Sequence, residues 1–114
     1  MPDTHEILAQ ARTLGRLIAD HDAAKKMAAA VEKLKEDTDA QRALNDLDRH
    51  SQAIAEKEAT GQPIEVEDKR KADELQKAVI RNATLRDLQI AQMDYADLMR
   101  QVDDALSTAA PPAN

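Results

Sequence analysis

Histidine, serine, tyrosine and paired carboxylates are the reactive side chains of this sequence, and their spacing limits the chemistry open to them. Asp46 and His50 lie four residues apart, which on a helix puts both on one face as a two-ligand metal pair. A structural or catalytic zinc takes three or four protein ligands, so this pair reads instead as an exposed charge–dipole contact. A di-iron site in a helical bundle requires Glu-x-x-His pairs. The residues three before His5, His21 and His50 are Pro2, Ile18 and Leu47, so that signature is missing. His21 beside Asp22 reads as part of a helix junction. Ser51 adjoins His50, but neighbouring helical positions point about 100° apart and cannot readily share a proton. The other serine, Ser107, falls in the tail. Asp46/Asp48 and Asp103/Asp104 read as solvated faces of amphipathic helices. The two glycines, Gly15 and Gly61, are far apart, and a phosphate-cradling loop needs them clustered. The sequence therefore predicts no catalytic residue, no metal site and no cofactor.

Composition narrows the partner classes. There is no cysteine, which removes disulfides, thiolate metal sites and cysteine-held iron–sulfur clusters. The formal net charge is −6, and nucleic-acid modules usually carry a basic face. The densest basic run, Lys69-Arg70-Lys71, is followed at once by Asp73 and Glu74 and reads as a solvated helix face. Direct nucleic-acid binding is not expected. No apolar run approaches the roughly 18–20 residues that span a bilayer, and "MPDTHEIL" lacks a basic-then-apolar signal segment. The expectation is a cytoplasmic protein without membrane insertion.

The elements that must position any site are helices. Nothing alternates like a strand, and caps with 3.6-residue periodicity mark five segments, an all-α fold without sheet. Asp3 with Glu6 forms a capping box ahead of the first helix, in which Ile7, Ala11, Leu14 and Ile18 recur on one face flanked by Leu8 and Gly15. The second begins near Asp22 with Ala24, Met27, Ala28, Val31 and Leu34, a stripe that reads as core. After "EDTDAQ", Thr38 with Gln41 forms a second capping box, opening a third helix to about Ala59. Gly61 and Pro63 make one clear turn. A fourth helix starts near Glu65, and Asn82 marks a kink or fresh N-cap before the last. The seam of the third helix with the last two is Leu44, Leu47, Ile54, Leu75, Leu85, Leu88, Tyr95, Met99 and Val102. These helices should pair as an elongated hairpin or bundle, with the Tyr95 ring half-buried. Residues 1–106 form a single domain in this reading, and 107–114 a disordered tail.

Tyr95 is the one aromatic residue; there is no Phe or Trp. Aromatic rings normally supply much of a core's buried area. A core so lean predicts completion by a second copy, hence a homodimer. Gly15 costs its helix about 1 kcal/mol relative to alanine. Its place on the apolar stripe predicts that another backbone comes close there.

The segment "ILAQARTLGRLIADHDAAKKMAAAVEKLKEDTDAQRAL" resembles the opening of the YlbF/YmcA family. The resemblance rests on the Ile-Leu pair, on Ala11, Leu14, Gly15 and Ile18, and on the Asp37–Gln41 segment. The turn at Gly61–Pro63 and Asn82 before the last helix extend it over residues 5–106. It implies an elongated all-α fold that commonly dimerises. It also implies a non-enzymatic regulator of competence, sporulation and biofilm formation, acting in a complex that supports a membrane-associated endoribonuclease in RNA maturation. Two features depart from the family: the cysteines linked to iron–sulfur clusters are missing, and Ala83 stands where many relatives carry proline. Fold and adaptor character carry over; the cluster does not. The expected function is thus a regulatory adaptor with protein partners, RNA-processing machinery among them. Ile7, Leu8, Ala11, Leu14, Gly15 and Ile18 are the predicted dimer or partner contact. The alternative is a structural coiled-coil module such as a chaperone or secretion-system subunit.

Overall fold

Each helix of this chain begins where a side chain can take over an orphaned backbone N–H. The computed structural model describes residues 1–110. Among them lie α1 (Thr4–Asp20), α2 (Asp22–Glu36), α3 (Thr38–Ala59), α4 (Val66–Arg81) and α5 (Ala83–Ala109), with no strand. The all-α reading with five helices holds, and the ends lie close to those that caps predict. Asp3 opens α1, its Oδ1 accepting from the Glu6 N–H at 2.9 Å. At the other end α5 runs through Ala109, so Ser107 to Ala109, placed in the tail by sequence, are helical. Proline disfavours helical backbone in the residue before it, so Pro111 is the first residue that forces the helix to stop. Of the rest of the expected tail, Ala110 lies just past the helix and residues 111–114 lie outside the described residues.

Three of the four connections are single residues built to one plan. His21, Asp37 and Asn82 each adopt an extended conformation. Each donates its N–H to the carbonyl three residues back: Ile18, Leu34 and Val79, at 3.1, 3.2 and 3.2 Å. Each then caps the next helix with its side chain. His21 Nδ1 accepts from Ala23 N, Asp37 Oδ1 from Ala40 N and Asn82 Oδ1 from Leu85 N, all at 3.0 Å. One residue thus ends a helix and starts another. The predicted cap at Asn82 is there, but the box at Thr38 is not. Asp37 is the N-cap of α3, and Gln41 Nε2 reaches back to the Leu34 and Lys35 carbonyls, 2.8 Å each. A glutamine amide can donate as well as accept, and here the unpaired carbonyls at the end of α2 are the better partners.

The fourth connection is the expected turn. Gly61 takes φ +74°, the left-handed conformation that glycine adopts without penalty. Gln62 N then bonds to the Lys57 carbonyl at 2.8 Å and Gly61 N to that of Glu58 at 3.4 Å, closing α3.

The chain divides into two compact units, one of Met1–Ala30 with the residues from Ile90 onward, the other of Val31–Gln89. In the second unit α3 packs against α4. Asp68 joins them: its Oδ2 accepts from Lys57 Nζ at 2.6 Å and from Glu65 N at 3.0 Å, and its carbonyl accepts from His50 Nε2 at 2.8 Å. Ala40, Thr84 and Leu85 are the buried residues of this unit, and Lys33 pairs with Asp87 at 4.0 Å. In the first unit the buried residues are Ala23, Ala30 and Ala91, with Tyr95, Leu98, Met99 and Val102 half-buried along α5. Among the described residues no large side chain is fully buried. Alanines let helices approach closely but bury little area, so each unit gains modestly from apolar burial.

Candidate interaction surface

Helix α1 is set by its period. At 100° per residue Ile7, Ala11, Leu14 and Ile18 fall within about 60° of arc, with Leu8 and Gly15 along one edge and Leu17 along the other. In a soluble protein such a stripe normally faces a core. Here α1 has no buried residue: Ile7 is 60% exposed, Leu8 46% and Leu17 65%, while Leu14 and Ile18 are half-buried. Within the first unit Ile7, Ala11 and Leu14 line an open groove of about 550 Å³ with Pro2, Ala9 and Leu106, and Glu6 and Gln10 are its polar members.

Gly15 sits at the edge of this stripe in ordinary helical backbone. No atom lies within 4 Å of where its Cβ would be. Within the chain, then, no backbone comes close to it. The contact that the sequence suggested has no counterpart inside the molecule, and the space above the glycine is open.

The residues predicted for the hairpin core are spread over both units. Leu85 is buried; Leu47, Ile54, Leu75 and Leu88 in one unit, and Tyr95, Met99 and Val102 in the other, are half-buried. Leu44 is 37% exposed. In a two-helix layer a seam residue has a neighbour on one side only, which is why these positions stop short of full burial.

Of the residues with reactive side chains, His21, His50, Asp37, Asp68 and Asp97 make structural bonds. His50 reaches across to α4, and because a carbonyl can only accept, its Nε2 carries the proton. With Asp46, Arg49, Lys71 and Leu75 it borders an open cleft of about 380 Å³. His21 uses Nδ1 as an acceptor and therefore holds that nitrogen unprotonated. The carboxyls of Asp37, Asp68 and Asp97 lie below the usual carboxylate range, held there first by bonds from the Thr84 hydroxyl, the Lys57 ammonium and the Arg100 guanidinium respectively. Arg100 bridges Asp97 at 2.6 Å and Asp104 at 3.4 Å along the outside of α5, and Asp97 in turn raises its pKa. Among the described residues no group of three or more His, Cys, Asp or Glu is placed to hold a metal ion, and no helix is long and apolar enough to cross a membrane.

Sequence reasoning missed two things. Leu17 belongs to the α1 face, and its i, i+3 spacing from Leu14 was the available signal. Thr84, 4% exposed, donates to Asp37 Oδ2 at 2.6 Å, and no local pattern announces a partner 47 residues away.

Comparisons with known proteins agree with this architecture. A family model described as control of competence regulator ComK, YlbF/YmcA, matches residues 7–109. Among solved structures, the X-ray crystal structure of Bacillus subtilis RicA in complex with RicF contains a similar chain. It is 18% identical, with 94% of this chain and 95% of that one covered and a TM-score of 0.84. At that identity the likeness is one of fold. No curated protein sequence matches the chain.

Proposed function

The chain belongs to the YlbF/YmcA family, and on that footing we propose that it is a non-enzymatic regulatory adaptor working through protein contacts made by α1. The observation that carries this reading is the exposed apolar stripe of α1 with open space above Gly15. The similar fold found in a complex of two different proteins supports protein partners for this one. A homodimer is the first association to expect, and a component of the RNA-processing machinery is the partner class that the family resemblance implies. On this reading the protein works in the cytoplasm.

The magnitudes favour a shared interface over a lone one. Fully burying a Leu or Ile side chain is worth about 1.5–3 kcal/mol; the five large residues of the stripe are already about half covered, so covering the rest would contribute roughly 5 kcal/mol. Association costs about 4–15 kcal/mol in lost translational and rotational freedom. The stripe alone reaches only the low end of that cost. It therefore needs an apolar face of similar size on the partner, with flanking Arg12, Arg16 and Glu6 fixing register.

The test is association of the full chain, by sedimentation and by affinity purification from the native host, for wild type, Gly15→Leu and Ile7→Asp. Both substitutions lie on exposed α1 positions, so circular dichroism should stay nearly unchanged while association weakens. Self-association and partner capture that survive both changes would overturn the assignment of α1. Partners confined to a secretion or filament apparatus would replace the adaptor with a structural module.

A further inference from the structure

The breaks at Asp37 and Asn82 are treated by sequence as two separate helix ends. In the structure they meet. Asp37 uses one carboxylate oxygen to cap Ala40 at 3.0 Å and the other to accept from Thr84, two residues past Asn82, at 2.6 Å. Asn82 caps Leu85 at 3.0 Å, and Gln41 closes the end of α2 through the Leu34 and Lys35 carbonyls. The buried positions of the Val31–Gln89 unit cluster here: Ala40 is 0% exposed, Thr84 4% and Leu85 7%. All these residues belong to the Val31–Gln89 unit.

We propose that Asp37 and Thr84 couple the two helix breaks into a single joint that opens and closes as one. The physical reason is constraint between packed neighbours. A break in one helix is held straight by an unbroken helix beside it, whereas two breaks at one level let both helices change backbone dihedrals together. Conformational hinges are commonly a few such element-terminal residues. Asp37 cannot leave its cap on Ala40 without also moving the acceptor of a nearly buried hydroxyl. Thr84 cannot turn away without leaving that oxygen unpaired, and unpaired buried polar groups are costly. The joint is therefore closed by bonds that form or fail together.

Amide hydrogen exchange of the full chain, resolved by residue, tests this. Thr84→Val keeps the side-chain shape and removes the hydroxyl; it leaves the Ala40 and Leu85 caps untouched. A coupled joint predicts exchange faster by about ten-fold at both Ala40 and Leu85, with mid-α3 amides from Arg49 to Ala53 unchanged. Asn82→Ala, which removes only the cap on α5, should likewise speed exchange at Ala40. Thr84→Ser, which retains the hydroxyl, should restore wild-type rates. Acceleration confined to one of the two amides, to Ala40 in Thr84→Val or to Leu85 in Asn82→Ala, would mean two independent caps and overturn the proposal. So would a uniform rise through α3, which marks global loss of stability, or no change at all.

Discussion

A single carboxylate, Asp37, shows how much one residue can settle. It ends α2, caps α3 and ties the start of α5, and its pKa lies below the ordinary carboxylate value, chiefly through the Thr84 hydroxyl and then the Ala40 amide. The sign of the linkage follows. A carboxyl with a depressed folded-state pKa contributes stability that is complete above the unfolded value of about 3.9 and is lost as pH falls through the folded value. Asp68 and Asp97 are shifted the same way by Lys57 and Arg100. Thermal melts should therefore show stability level at neutral pH and falling as the solution is acidified through and below pH 4. Thr84→Val should make that acid-dependent fall smaller, because it removes the largest cause of the Asp37 shift. An equal fall in both proteins would show that the hydroxyl has no hold on the carboxyl.

At the scale of the element, three substitutions separate propensity from packing. Gly15 has nothing near its missing Cβ and lies in regular helix. Gly15→Ala should therefore stabilise the isolated chain by up to about 1 kcal/mol, read as a rise in melting temperature. A drop would show that a neighbour occupies the space after all. Leu85 lies at the start of α5 with 7% of its surface exposed. Leu85→Ala should cost about 2–5 kcal/mol in urea unfolding, the range for large-to-small core changes. Leu44→Ala, at 37% exposed, should cost clearly less. The contrast matters because sequence placed both leucines on the same seam. Periodicity names the face of a helix, but the depth of burial depends on how many neighbours that face has.

For the molecule as a whole, the small aliphatic composition limits what each unit can bury, and α1 leaves Ile7, Leu8 and Leu17 largely in solvent. That combination makes association the expected source of further stability. The melting temperature should rise with protein concentration in the wild type. It should become independent of concentration in Ile7→Asp, whose charge would have to be desolvated at the contact. Equal concentration dependence in the two proteins would place the association elsewhere on the surface.

Caps, breakers and helical period operate over three or four residues, so the amino-acid order alone determined five helices and, except for the far end of α5, their ends to within a residue or so, the turn at Gly61 and the amphipathic face of α1. Gln41 was misassigned because both of its candidate partners are local and only the geometry of the α2 end chooses between them. The bond from Thr84 to Asp37, the tie from His50 to Asp68 and the uncovered state of the α1 stripe were decided by tertiary structure. Each depends on which helices lie side by side, and that is set by packing between segments tens of residues apart.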